Sequence, residues 1–416
     1  MNRIFTILIV LAMGLGVAAG YAGHEYLTAD QQKSAVETYT VITDVFLRLI
    51  KMIIAPLVLS TLVAGIAHME DTAAIGRVGA KTMFWFLMAS VISLTIGLVM
   101  VQLLQPGVGL NLPLPETHAS SGVDTAKLSL SNFITHLVPK SIVEAMANNE
   151  ILQIVVFSLF VGTAVAAIDD KAPIVLELVD QIAKIMLKVT AFIMKLAPLV
   201  IFAALAKSIT ESGLGILVTY AQFVGGFYAS LGVLWIVLMG LGFLFVGFRV
   251  LKLMGLMKEP ILLAFSTASS EAAYPKTLEQ LGKFGVKNRI SSFVLPLGYS
   301  FNLDGSMMYC TFATLFIAQA YGLELTLSQQ ITMLLLLMVT SKGIAGVPRA
   351  SLVVISATLT YFNLPEAGLL LILAVDHLLD MGRSATNVVG NSVASAVVAR
   401  WEGELSDPDK EAKTTA

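Results

Sequence analysis

The sequence predicts an all-α polytopic membrane protein with eight transmembrane helices and two re-entrant helical hairpins. Three observations support this fold class. The 416-residue chain is 56% hydrophobic and only 13% charged, whereas soluble domains carry about 25% charged residues. Several apolar runs are long enough to cross a bilayer. Beyond residue 250, the apolar segments are interrupted repeatedly by short polar motifs.

Six apolar runs precede these interruptions, at residues 4–22, 44–68, 83–104, 151–168, 186–207 and 218–247. The first has a basic start and small residues near its end, so it also fits a cleaved signal peptide. Because many further spans follow, we expect an uncleaved first helix. A polar, Pro-rich stretch within 105–150 predicts a long connection, and residues 173–195 predict an amphipathic helix leading into the fifth span.

Four polar motifs interrupt the second half of the chain. They are Phe265–Pro275 (FSTASSEAAYP), Ser300–Ser306 (SFNLDGS), Thr340–Ser351 (TSKGIAGVPRAS) and the stretch Asp376–Asn391. Irregular backbone at bilayer depth is tolerated only where it is buried in protein or lines a cavity. A loop-broken segment followed by a helix with a polar centre occurs twice, which indicates inverted repeats around a midplane site. The alternative is that these motifs are ordinary loops outside the membrane. In that case the apolar segments on either side of each motif would be too short to cross the bilayer separately.

The distribution of charge predicts the orientation. With a cytoplasmic N-terminus, one hairpin (about 251–284) enters from the inside and the other (about 327–362) from the outside. The basic residues outside the membrane then lie mainly on the cytoplasmic side, as the positive-inside rule requires. Those on the outer side are Lys33, Lys127, Lys140 and Lys207. Both termini are therefore expected in the cytoplasm.

The last apolar segment carries a polar stripe. Its members are spaced three or four residues apart, which places them on one helical face: Asp376, Asp380, Arg383, Asn387 and Asn391. A charge at membrane depth costs about 2.5–3.5 kcal/mol and usually faces a partner, a cavity or a substrate. A cation and a carboxylate one turn apart suit a zwitterionic solute that carries an extra carboxylate.

Three of these motifs together, FNLDGS, TSKGIAGVP and LDMGRSATNVVGN, resemble those of the dicarboxylate/amino acid:cation symporters, the glutamate transporter family. The resemblance covers essentially the whole chain and is nearest to bacterial proton/glutamate–aspartate symporters. It implies a homotrimer in the lipid of the bacterial inner membrane, working by an elevator-type movement. The scaffold would comprise residues 1–82 and 105–207, the transport unit residues 83–104 and 208–402, and a polar tail residues 403–416.

The resemblance also implies a substrate pocket. Arg383 would hold the substrate side-chain carboxylate, which a planar guanidinium can grip with two hydrogen bonds. Asp380 would receive the α-amino group, and relatives specialised for amine-free dicarboxylates lack this acid, so an amino acid is favoured over succinate or malate. The remaining implied pocket residues are Ser269, Ser270, Ser306, Val347, Ser351, Ser384 and Asn387. Each of these serines is equally compatible with helix capping or close packing.

The implied coupling-ion region departs from the sodium-coupled pattern. It would comprise Ser90, Gly298, Asn302, Asp304, Lys342 and Asn391. Asn391 stands where sodium-coupled relatives have an aspartate, while Phe86 and Ala89 replace a tyrosine and a threonine. We therefore expect H⁺ as the coupling ion, with Na⁺ as the alternative.

Two charged residues are candidates for replacing the function of the bound sodium ion. Glu271, beside the serine tip of the first hairpin, is the proposed proton carrier, because burial favours the neutral form of a carboxyl group. Alternatively, Glu271 pairs with a basic neighbour. Lys342 is a candidate built-in cation in the second hairpin.

Other functional classes find little support. The single cysteine, Cys310, excludes an internal disulfide. The sequence contains no HExxH, GxSxG or GxxxxGK[ST] motif and no Cys/His cluster, so neither an enzyme nor a metal or other cofactor is expected. With a net charge of −2 and no basic cluster, nucleic-acid binding is not indicated. Broken helices also build channel filters, but an asymmetric Asp–Arg pair fits one bound solute better.

Overall fold

The structure is a computed structural model that describes residues 3–67, 72–108, 138–168, 173–213, 220–340, 350–373 and 375–406. Regular structure in these ranges is helical, and one isolated bridge pairs Val286 with Leu405. The predicted all-α class is therefore confirmed.

The described part of the first half forms eight helices. They are α1 (Arg3–Tyr26), α2 (Ala29–Ala67), α3 (Thr72–Leu104), α4 (Ile142–Ala147), α5 (Ile151–Ile168), α6 (Pro173–Ile193), α7 (Ala197–Ser212) and α8 (Ala221–Val246). The 39 residues of α2 give a length of about 58 Å, well beyond the ~30 Å hydrocarbon core. This helix therefore includes polar turns that precede the predicted apolar run.

The predicted fifth span, 186–207, is divided in the structure. A 3₁₀ turn at Met194–Leu196 separates α6 from α7, and a proline occupies the first turn of α7. Pro198 cannot donate a backbone hydrogen bond, so it is accommodated where a new helix begins. The amphipathic approach predicted at 173–195 is thus a separate helix, α6.

The residues that the structure describes in the second half form nine helices, most of them short. They are α9 (Arg249–Leu256), α10 (Lys258–Thr267), α11 (Tyr274–Phe284), α12 (Asn288–Phe301), α13 (Asp304–Ala320), α14 (Leu327–Thr340), α15 (Ala350–Tyr361), α16 (Leu369–Leu373) and α17 (Asp376–Trp401). The helix breaks after α10 and α12 coincide with the first two predicted polar motifs. Most of the third motif, 341–349, lies outside the described residues, and the fourth forms part of the continuous helix α17.

Two helices of the described chain are long and apolar enough to cross a membrane by length and composition, Gly76–Leu104 and Ala221–Val246. Shorter apolar helices cover Met52–Ala67, Gln153–Ile168 and Leu327–Met338. The count of eight spans and the inverted repeats stay predictions.

The helices pack in two groups. Helix α1 packs on α7, and α2 packs on α5, α6 and α7. In the other group, α3 contacts α8, α13, α14 and α17, while α17 also contacts α8, α10, α12 and α13. The groups meet where α2 contacts α12 and where α7 contacts α10. The polar stripe of α17 therefore lies inside the second group.

The first residues of the polar tail expected from residue 403 make ion pairs. Glu404 pairs with Lys287 at 2.9 Å and with Arg289. The backbone N–H of Ser406 donates to Gly285 O at 2.9 Å. Residues 402–406, called here the C-terminal strap, thus lie against two parts of the protein. Glu404 and Ser406 bind the α11–α12 connection, and Glu402 pairs with Arg77 and Lys81 of α3. Residues 407–416 lie outside the described residues.

Candidate functional site

Arg383 is the centre of the polar stripe. It is only 2% exposed, and its Nη2 lies 2.8 Å from Asp380 Oδ1 and 3.4 Å from Asp376 Oδ1. Its guanidinium lies over the ring of Tyr309, 4.2 Å from the ring centre. Tyr309 in turn donates a hydrogen bond to Asp376 Oδ1 at 3.2 Å. Two carboxylates and an aromatic face therefore hold one buried cation in place.

Arg383 has donors beyond those it uses for these contacts. Its buried Nε and Nη1 atoms have no hydrogen-bond partner among the residues that the structure describes. Since a buried donor left unpaired costs about 1–3 kcal/mol, a ligand with acceptor oxygens would be stabilised there. The Asp380 side chain is 33% exposed, so the pair extends from the protein interior towards an accessible surface.

Asn387 joins the stripe to the start of α13. Its Oδ1 accepts a hydrogen bond from the Gly305 backbone N–H at 2.9 Å, and its Nδ2 donates to Ser306 Oγ at 3.3 Å. A Cβ on Gly305 would lie 2.6 Å from the Arg383 carbonyl oxygen. Only glycine allows this close approach, which places the N-terminal end of α13 directly against Arg383 and Asn387.

The other predicted pocket residues have mixed outcomes. Ser384 and Ser351 are buried, and the Ser351 carbonyl accepts a weak hydrogen bond from Cys310 Sγ at 3.9 Å. Because Cys310 adjoins Tyr309, the start of α15 lies near Arg383. The predicted residues Val347 and Lys342 lie outside the described residues.

The tip of the predicted first hairpin lies beside α17. Ala268 has a left-handed backbone (φ 49°) that ends α10, and it packs in one hydrophobic cluster with Leu378 and Met381. Ser269 Oγ accepts the Ala272 backbone N–H at 3.3 Å, which is the capping role considered as an alternative. Ser270 is buried. The serine tip is therefore adjacent to the turn of α17 that carries Asp380.

A second polar cluster lies deeper along α17. Asn302, Asp304 and Asn391 are fully buried. Asn302 Nδ2 donates to Asp304 Oδ2 at 3.0 Å and to Asn391 Oδ1 at 3.1 Å. A Cβ on Gly298 would lie 2.2 Å from Asn391 Oδ1, so this glycine makes room for the amide. The structure thus brings four of the predicted coupling-ion residues together.

Ser93 completes this cluster and was missed by the sequence analysis. It donates a hydrogen bond to Asp304 Oδ1 at 3.0 Å, whereas the predicted Ser90 donates to its own helix at Phe86 O, 2.6 Å away. The spacing of three residues places both serines on one face of α3. That spacing was the signal available in the sequence.

The donor set of this cluster is mainly neutral. Asp304 supplies a carboxylate, while Asn302 and Asn391 supply amides. Asn302 Oδ1 and Asn391 Nδ2 have no hydrogen-bond partner within the described part of the chain. Throughout that part, no group of three His, Cys, Asp or Glu side chains is placed to hold a metal ion.

Glu271 follows the serine tip of the predicted first hairpin. It begins a 3₁₀ turn at Glu271–Ala273 and is half-buried. It lines a narrow cleft whose other lining residues belong to α2, α11 and α12: Ile54, Val58, Tyr274, Pro296 and Tyr299. The predicted proton carrier therefore lies close to α2, where the two helix groups meet.

A helical chain with interrupted apolar helices around a buried cluster of charged side chains has the features of a membrane transporter. Comparison with known proteins agrees: the chain belongs to the sodium:dicarboxylate symporter family, whose family model matches residues 5–401. Members of this family are transporters that act in membranes rather than enzymes.

The relatives include transporters of two kinds. The chain is 40% identical to the proton/sodium-glutamate symport protein of Bacillus caldotenax over 407 residues, which cover 96% of this chain and 94% of the relative. It is 42% identical to the C4-dicarboxylate transport protein of Cupriavidus pinatubonensis over 368 residues, covering 87% and 85%. It is 38% identical to the C4-dicarboxylate transport protein of Rhodospirillum rubrum over 410 residues, covering 97% and 90%.

Proposed function

We propose that this protein is a secondary active symporter that imports glutamate and aspartate together with protons. The observation that carries the proposal is the state of Arg383. It is buried, held by Asp380 and Asp376, and has two nitrogen atoms without partners among the described residues. This arrangement suits the carboxylate of a small acidic solute.

In this proposal, charges alternate across the bound substrate. The side-chain carboxylate binds the unpaired N–H groups of Arg383, and the α-amino group binds Asp380, whose side chain is accessible. The α-carboxylate binds the hairpin tip at Ser269 and Ser270. The pocket is completed by Ser306, Val347, Ser351, Ser384 and Asn387.

The coupling ion in this proposal is a proton carried by Glu271. A hard cation such as sodium prefers oxygen ligands and negative charge. Asn391 contributes a neutral amide at a position where a second carboxylate would favour sodium, so the cluster is less suited to that ion. Lys342 would supply a built-in positive charge in the second hairpin. Sodium is the alternative coupling ion, and the Bacillus caldotenax relative is named for both ions.

The proposed mechanism is an elevator-type movement of a transport unit against a scaffold. The packing of α3 with α8, α13, α14 and α17, and the separate packing of α1 and α2 with α5–α7, supports this division. The proposal includes a homotrimer in the bacterial inner membrane, with both termini in the cytoplasm.

A second candidate is a C4-dicarboxylate carrier, favoured by the 42% identity to the Cupriavidus protein. The two candidates differ in one chemical group, the α-amino group, for which Asp380 is the proposed acceptor. Competition by succinate against labelled glutamate separates them.

Uptake of labelled glutamate into proteoliposomes, under separately imposed pH and sodium gradients, tests the function. We expect glutamate to accumulate under an inward proton gradient in the absence of sodium, and succinate to compete only weakly. Accumulation that requires sodium would show that sodium, and not the proton, is the coupling ion. Preferential uptake of succinate would show that the substrate is a C4-dicarboxylate and not an amino acid.

A further inference from the structure

Tyr228 of α8 lies where α8, the first hairpin and α17 meet. Its hydroxyl donates a hydrogen bond of 2.6 Å to the backbone carbonyl of Leu378. Its ring packs edge-on against Phe265 of α10, with ring centres 6.5 Å apart at an angle of 65°. One side chain therefore contacts both elements that border the proposed substrate pocket.

Gly382 allows Tyr228 to lie directly on α17. A Cβ at this position would be 3.0 Å from Tyr228 Cε1 and 2.7 Å from Leu231 Cδ1. Any larger residue would therefore move the Tyr228 ring or the helix. Tyr228 thus contacts α17 at Leu378 and at Gly382, which are one helical turn apart.

Asp380 lies between these two contact residues in the sequence, in the same turn of α17 but on another face of the helix. Its Oδ1 is 2.8 Å from Arg383 Nη2, so a small rotation or shift of the 378–382 turn changes the position of both charges relative to a bound solute. We infer that Tyr228 is a positioning residue for Asp380 and thereby sets recognition of the substrate amino group. This inference rests on the proposed role of Asp380 as the amine acceptor.

A second hydrogen bond between the same two helices provides a matched control. Trp235 Nε1 donates to Thr386 Oγ1 at 2.8 Å, about two turns further along both helices. Trp235→Phe also removes one α8–α17 hydrogen bond, but away from the 378–382 turn. A purely structural role for Tyr228 predicts similar effects of the two substitutions.

The experiment compares aspartate and succinate, which differ only in the amino group, as inhibitors of labelled aspartate uptake by reconstituted protein. Tyr228→Phe should weaken inhibition by aspartate about three- to tenfold, the range expected for one hydrogen bond, and leave inhibition by succinate within twofold. Trp235→Phe should leave the ratio of the two inhibition constants unchanged. Thermal unfolding in detergent checks that each variant is folded.

A double-mutant cycle tests whether Tyr228 acts through Asp380. In an Asp380→Asn background, Tyr228→Phe should no longer change the aspartate/succinate ratio. An unchanged ratio in the single Tyr228→Phe variant, an equal loss of both ligands, or a full effect that persists beside Asp380→Asn would overturn the inference. Should Tyr228→Phe not fold, Gly382→Ala displaces the same ring and must shift the ratio in the same direction, and no shift overturns the inference.

The outcome for Asp380→Asn alone separates this inference from the proposed function. If Asp380→Asn does not change the ratio, Asp380 is not the amine acceptor and the proposed function fails. If Asp380→Asn changes the ratio and Tyr228→Phe does not, only the positioning role is rejected.

Discussion

The guanidinium of Arg383 stacks on the ring of Tyr309, whose hydroxyl binds Asp376, a carboxylate that also contacts Arg383. The cation is thus held on one side by an aromatic face, which is attractive to positive charge, and on another by carboxylates. Its remaining N–H groups are fixed in direction, as the proposed binding of a substrate carboxylate requires. Such pre-organisation lowers the ordering cost of binding.

Replacing Arg383 with cysteine should abolish high-affinity binding of acidic substrates. Removing one partner of a buried charge pair costs about 2–5 kcal/mol, so we expect at least a thirtyfold loss of affinity for glutamate, and neutral amino acids of similar size become better substrates. The measurement is how strongly added glutamate and added serine each inhibit uptake by the variant and by the wild type. Arg383→Lys, which keeps the charge but not the fork, is the control for geometry. Retained glutamate affinity in Arg383→Cys would refute the pocket assignment.

Replacing Glu271 with glutamine should remove proton-driven accumulation and spare exchange of internal for external substrate. Glutamine keeps the size of the side chain in the cleft beside Tyr274 and Tyr299, but it cannot release a proton. Net uptake driven by a pH gradient and homoexchange in preloaded vesicles are the two measurements. Glu279→Gln, in the exposed part of the same hairpin, is the matched control. Undiminished pH-driven uptake by Glu271→Gln would exclude Glu271 as the carrier.

Replacing Asn391 with aspartate should make the protein respond to sodium. The substitution is isosteric and places a second carboxylate beside Asp304 and Asn302, where two like charges require a proton or a cation. We expect sodium to raise the Tm of the variant in detergent, while the wild type shows no such shift. Choline chloride at equal ionic strength controls for screening. A Tm that is independent of sodium in Asn391→Asp would show that this residue does not decide the ion.

Replacing Glu402 with glutamine should weaken the C-terminal strap. Glu402 follows α17 and pairs with Lys81 at 2.6 Å and Arg77 at 3.0 Å. Burial opposes its ionisation, but the hydrogen bonds and charges of Lys81 and Arg77 outweigh that effect and lower the pKa of Glu402 below its ordinary value of 4.5. The ion pairs therefore contribute their full stabilisation at pH values above the ordinary pKa of 4.5. This contribution is lost as the pH falls from there through the lowered pKa of the folded protein.

We expect Glu402→Gln to destabilise the fold at pH 7 by about 0.2–1 kcal/mol, typical of partly exposed ion pairs, and to reduce the loss of Tm between pH 7 and pH 4. Thermal unfolding at both pH values measures the change. Glu25→Gln, at an exposed position in α1, is the control. Equal pH dependence in wild type and Glu402→Gln would mean that the strap does not respond to acid.

The sequence by itself determined the helical class, the positions of the first two helix breaks in the second half and the placement of Asp380 and Arg383 on one face of a helix. These features depend on local properties: hydrophobic content, helix-breaking polar motifs and the three-residue spacing that places two side chains on one helical face. The division of the predicted fifth span was missed, because the apolar run continues through Met194–Leu196 although the helix does not.

Only the tertiary structure decided which faces meet. Tyr309 joins Arg383 from another helix, and Ser93 reaches Asp304 across 211 positions of the chain. Glu271 follows the serine tip in the sequence, and the structure adds that it lines a cleft together with Ile54 and Val58 of α2. The periodicity of a sequence shows which side of a helix is polar. Which residues that side contacts depends on how the helices pack. Side-chain shape and glycine positions such as Gly305 and Gly382 control that packing.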